Sequence, residues 1–139
     1  MSLNEPSELP ESLRQASLPL ASRIRFYREA DADLIRATRR GVAFVMAFWS
    51  AYSLRVYPAF IEAVAKADPD GQLEVMVVDN DGVSAWRDTL KLDEIDGGWG
   101  EALWIMDGTI VLTSGFGSHP ETFEPNTIQL LAIPDAETR

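Results

Sequence analysis

Eight consecutive apolar residues, Val42 to Trp49 (VAFVMAFW), constrain the fold more than any other feature of the chain. With no polar position to turn toward water, a strand built from them must be covered on both faces, as in the middle of a sheet flanked by helices. The run is too short to cross a bilayer. Ser50 follows it directly. A hydroxyl at that point can accept from the unpaired amides of a helix start, so Ser50 is read as the N-cap of a helix reaching about Ala67. Tyr57, Phe60, Ile61 and Val64 share one face of that helix. Pro58 lies inside it, lacks an amide hydrogen, and should kink it.

The rest of the chain alternates strands and helices. Arg23–Arg28 alternates apolar and basic residues as a half-buried strand does. Asp31–Arg40 reads as a helix, acidic in its first turn, basic in its last and stopped by Gly41. Asp68–Gly71 is a turn, and Leu73–Val78 is a second continuous apolar strand. Val83–Leu90 is a short helix, followed by a polar, glycine-rich loop over Lys91–Gly100. Ala102–Met106 and Thr109–Ser114 are strands joined by Asp107-Gly108, a strong hairpin signal. Asn126 is expected to cap a last helix ending at Ile133. The order β-α-β-α-β-α-β-β-α implies an α/β protein, a three-layer α/β/α sandwich around a mixed sheet of about five strands. Tyr57, Phe60, Val75, Val77 and Leu103 are expected to share one core, with Trp86 and Trp104 also inside.

At 139 residues and 46% apolar composition, the chain has the size and core-forming capacity of one domain. Residues 23–139 are read as that domain. The first 22 residues hold three prolines and five serines and lack the apolar core of a signal peptide, so they read as a flexible leader on a cytoplasmic protein.

Composition excludes much chemistry. There is no cysteine, hence no disulfide, cysteine-ligated metal centre or cysteine nucleophile. His119 is the sole histidine, so a two-histidine metal site cannot exist. A triad pairing it with Ser50 or Ser118 would need a third, orienting acid, and His119 reads instead as part of a Gly-Ser-His-Pro turn. Asp79-Asn-Asp-Gly82 fails as a calcium loop because Val77 falls at the first ligand position. Gly98-Trp-Gly100 leads into a strand and lacks the third glycine of a dinucleotide fingerprint. Asp93, Glu94 and Asp96 read as a solvated loop, and no cofactor or metal is expected.

The net charge of −10 argues against nucleic acid and anionic membranes as partners. It is unevenly spread. Residues 1–66 carry nine basic and seven acidic side chains, and residues 67–139 carry three basic and fifteen acidic ones. The arginines Arg23, Arg25, Arg28, Arg36, Arg39 and Arg40 read as a solvated face offset by Glu29, Asp31 and Asp33. The acidic half would suit a basic protein partner, and solubility alone would also account for it.

Trp49, then Ser50-Ala51-Tyr52-Ser53, then four residues, then Pro58, resembles the thioredoxin-like superfamily, which carries tryptophan, Cys-x-x-Cys, four residues and proline. LEVMVVDNDG resembles that family's third strand, and GEALWIMDGTIVLTSGFG its closing hairpin and terminal glycine. The resemblance covers roughly residues 23–117. It places the family's buried acid at Phe44 and its cis-proline at Gly100. Serine cannot replace a thiolate in disulfide exchange and is a poor nucleophile without a base. The resemblance therefore implies a redox-inactive member with no thiol–disulfide oxidoreductase activity.

It also implies a binding groove made of Trp49, Ser50, Ala51, Tyr52, Ser53, Trp99, Gly100 and Phe116. The competing reading buries Trp49 and Trp99 beneath the loops. The function expected is a non-catalytic module binding a protein or peptide, for which the acidic half would suit a basic partner. Two alternatives are an enzyme binding glutathione or another small molecule through Ser50, and a structural domain that self-associates.

Overall fold

The computed structural model describes residues 4–92 and 98–134. Its elements are α1 (Glu11–Ser17), β1 (Ile24–Tyr27), α2 (Asp33–Arg36), β2 (Arg40–Met46), α3 (Ala51–Ala67), β3 (Glu74–Asp79), α4 (Trp86–Thr89), β4 (Glu101–Met106), β5 (Thr109–Thr113) and α5 (Phe123–Ala132). The apolar run lies where its pattern demands. β2 is the middle strand of a five-stranded sheet ordered β1-β3-β2-β4-β5. β1, β3 and β2 run parallel, and β4 and β5 are antiparallel to them. From Val42 to Ala47 every side chain is buried.

Side chains alternate across the sheet and feed two cores. One joins Val42, Phe44, Met46, Val75, Val77 and Trp104 to α1, α3 and α5; the other joins Ala43, Val45, Met76, Val78, Leu103 and Ile105 to α2 and α4. Tyr57, Phe60, Val75 and Val77 share the first core as expected. Leu103 faces the second, because in β4 the neighbouring Ala102 and Trp104 take the α3 side. Trp86 and Trp104 are fully buried.

The N-terminal stretch departs most from expectation. Instead of a flexible leader, residues 11–20 form α1 and a tight 3-10 turn, and Leu13 and Leu20 enter the first core. Ser17 Oγ donates to the Leu13 carbonyl and lies 2.6 Å from the Tyr57 hydroxyl on α3. Ahead of it, the Ser7 amide pairs with the Phe26 carbonyl at the edge of β1. The Asn4 amide donates to Asp31, which, with the Asp33 N–H, holds that carboxyl below the usual aspartate range.

α2 is shorter than the expected Asp31–Arg40 helix. The amides of Asp107 and Gly108 in the hairpin turn donate to the carbonyls of Arg39 and Thr38, drawing that segment into sheet geometry. Gly41 is therefore not a helix stop. It sits in β2, where a Cβ would lie 2.8 Å from the Glu74 carbonyl. α4 is likewise confined to four residues, after a 3-10 turn over Asn80–Gly82. α5 starts at Phe123 rather than Asn126, whose amide reaches the Thr113 carbonyl instead of capping a helix.

Candidate functional site

At the C-terminal end of β2 the chain turns into α3, and both serines are consumed by that turn. Ser50 is extended (φ −110°), and its Oγ accepts from the Ser53 N–H at 3.4 Å. It is only 8% exposed. Ser53 has no place on the surface. Its fully buried hydroxyl accepts from the Ala47 N–H at 3.0 Å and donates to Met46 Sδ at 3.3 Å. One hydroxyl caps the helix and the other ties its first turn to the end of β2.

The floor beneath is apolar. Gly100 is buried with φ +87°, and a Cβ there would meet the Phe44 ring at 3.2 Å and Val56 at 3.3 Å. The Phe44 ring packs against Tyr57 and Phe60, with centroids 5.3 and 4.9 Å apart. No proton acceptor stands where the resemblance places an acid, and no cis peptide occurs among the described residues.

What faces solvent is aromatic. Trp49 is 64% exposed, Tyr52 50% and Phe116 59%, while Trp99 is half-buried. The Tyr52 and Trp99 rings are in contact, with centroids 4.7 Å apart and planes tilted by 52°. The Arg55 guanidinium lies over the Tyr52 ring, 5.5 Å from its centroid. Trp49 is fixed from two sides. Its Nε1–H donates to Asp81 at 3.2 Å, and Gly98 leaves no room for a side chain against the indole. Ala51, at the helix start between Trp49 and Tyr52, is exposed and small. The competing reading, with both tryptophans buried, does not hold for Trp49, while Trp99 is half-buried.

The two loops carrying Trp99 and Phe116 meet on Glu101. Its carboxylate, 1% exposed, accepts from the Trp99 N–H through Oε1 and the Gly117 N–H through Oε2, each at 3.2 Å. His119 braces the second loop. Its Nε2–H donates to the Phe116 carbonyl, and its Nδ1 lies 3.2 Å from Glu121. That is a local loop contact rather than a triad. Among the described residues no cluster of three metal-ligating side chains occurs, and Asp93, Glu94 and Asp96 lie outside them.

Sequence reasoning missed Gly98, Asp81, Arg55 and Glu101. Gly98 and Asp81 carried a faint signal in the glycine pair around Trp99 and the turn after β3. Glu101 carried none, since one acidic residue opening an apolar strand looks like part of a solvated end.

No family model matches the sequence, and no curated protein matches it. By structure the chain is similar to thioredoxin from Schistosoma mansoni (16% identical, TM-score 0.58, covering 78% of this chain and 95% of that one). It is also similar to oxidised thioredoxin from Plasmodium falciparum (18%, 0.55, 73% and 89%) and to thioredoxin from Fasciola hepatica (23%, 0.52, 77% and 96%). At these identities the likeness is one of fold. The chain has the thioredoxin fold without a single cysteine to do thiol–disulfide chemistry.

Proposed function

We propose that this chain is a non-catalytic thioredoxin-fold module that binds a protein or peptide through the surface of Trp49, Tyr52, Trp99 and Phe116. The observation carrying this reading is the exposed aromatic cluster at the head of α3, with the Tyr52 ring against Trp99 and the Trp49 indole held by Asp81. Exposed aromatics held in fixed orientation give large contact area at low entropic cost, which is the make-up of interface hot spots. Two described clefts, of about 350 and 450 Å³, are lined by other residues, the first by Arg39, Arg40, Gln72 and Glu74 and the second along β5.

The partner's chemistry is read from charge. Asp81 borders Trp49, and residues 67–139 are strongly acidic, so a segment carrying lysine or arginine beside an apolar anchor fits best. A catalytic use of Ser50 is disfavoured by its burial and by its role as helix cap.

The test is selection of a displayed peptide library on the full chain, followed by mapping of backbone and indole NMR shifts. Peptides that shift Trp49, Tyr52, Trp99 and Phe116, and that no longer bind a folded Tyr52→Glu, Trp99→Ala variant, support the reading. Selected peptides that map elsewhere, or none that survive selection, overturn it. Glutathione titration and sedimentation at two concentrations report on the enzyme and self-association alternatives.

A further inference from the structure

Resting on that reading, we propose that Glu101 is the positioning residue of the groove: its buried carboxylate sets the spacing between the loop that bears Trp99 and the loop that bears Phe116. A carboxylate withdrawn from water is costly unless its oxygens are hydrogen-bonded. Here the two oxygens are divided between two chain segments, Oε1 taking the Trp99 N–H and Oε2 the Gly117 N–H. Trp99 precedes Glu101 by two residues and Gly117 follows it by sixteen.

The base of this clamp is rigid. Glu101 pairs with Val45 of the central strand. One residue on, the Ala102 N–H donates to Ser114 Oγ at 2.9 Å, and the Ser114 N–H returns to the Ala102 carbonyl at 3.0 Å. Gly117 has φ +105°, a conformation that presents its amide without strain only because it is glycine. The carboxylate is thus fixed to the sheet, and each rim of the aromatic surface hangs from one of its oxygens.

An apolar residue could fill the same volume, but it could not hold two amides. Glutamine would supply one acceptor and turn a donor toward the other amide. Aspartate, one methylene shorter, could not span both. Glu101→Gln is therefore the discriminating variant, with Glu101→Asp beside it.

The experiment compares amide proton shifts, amide hydrogen exchange and affinity for a library-selected basic-aromatic peptide in the wild type and both variants. In Glu101→Gln one of the two amides, Trp99 or Gly117, is expected to move upfield and exchange faster. Peptide affinity is expected to fall by roughly tenfold or more, the usual weight of a hydrogen bond to a charged group. A role confined to stability would lower the melting temperature yet leave the folded protein's affinity and the two amides unchanged, and that result overturns the proposal. If no peptide engages the wild-type groove, the binding reading fails on its own. The two amides then decide the clamp: unchanged shifts and exchange in Glu101→Gln refute it, and selective loosening of one sustains it.

Discussion

The Tyr57 hydroxyl lies 2.6 Å from Ser17 Oγ, forty residues away in the chain, and the single hydrogen of Ser17 is already given to the Leu13 carbonyl. Tyr57 is therefore the donor between them, a role open only to the neutral phenol. Burial pushes its ionisation from the ordinary 10.0 up to about 12. Between those values the unfolded chain has lost a proton that the folded chain keeps, so stability falls as pH rises. The loss across that window is about 3 kcal/mol. Denaturant unfolding at pH 9 and pH 11 is expected to show this decline in the wild type and a flatter one in Tyr57→Phe. Equal declines would contradict the assignment.

The same contact makes α1 part of the folded unit. Leu13 is 1% exposed in the core beside α3. Leu13→Ala is expected to cost about 2–5 kcal/mol, the usual range for emptying a buried leucine site. Leu18→Ala, two-thirds exposed in the adjoining turn, is expected to cost little. Melting curves of the two variants check this. A Leu13→Ala protein as stable as Leu18→Ala would return residues 11–20 to the status of a loose leader.

How legible each part was depended on whether its cause is local. The Val42–Trp49 run announces a doubly covered strand because no polar residue interrupts it. Ser50 announces a cap because cap chemistry involves only the next three residues. α1 was hidden because Leu13 and Leu20 find their partners on α3 and the sheet, while the surrounding prolines and serines imitate a linker. The length of α2 was hidden for a similar reason, since its end is decided by amides of Asp107 and Gly108. Alternation in β4 shows that Leu103 and Trp104 face opposite sides, but not which helices cover each. At the head of α3, residue types marked the aromatic residues but left open whether the tryptophans were exposed or buried, and the division of labour did not show. Ser53 is interior, Ser50 is a cap, and Glu101 gathers the loops by adding to its contact with nearby Trp99 a second one to Gly117, sixteen residues on.

The two serines are expected to separate under mutation. Ser50→Ala removes a helix cap and should cost about 1 kcal/mol. Ser53→Ala leaves the Ala47 N–H buried without its acceptor, which carries a penalty of about 1–3 kcal/mol. Ser53→Ala should therefore be the less stable variant in urea unfolding, although each change removes one hydroxyl. A larger loss at Ser50 would point to a role there beyond capping.

Gly98 tests whether the set of Trp49 matters. It has φ +68°, and a Cβ on it would come within 2.4 Å of the indole Cη2 and 2.8 Å of Cζ3. An indole is a rigid bicycle and cannot yield locally, so Gly98→Ala must move the ring or the loop. Gly71 supplies the control. Its φ is +72°, but a Cβ there would meet nothing nearer than Arg23 at 3.7 Å. Gly71→Ala thus measures the left-handed backbone strain alone, about 1–2 kcal/mol. Gly98→Ala is expected to cost more than its control, to shift the Trp49 indole Nε1–H resonance as the bond to Asp81 is disturbed, and to weaken any peptide that maps to Trp49. Equal costs at the two glycines with an unmoved indole resonance would show that Gly98 shapes only its own loop and leaves the orientation of Trp49 to Asp81.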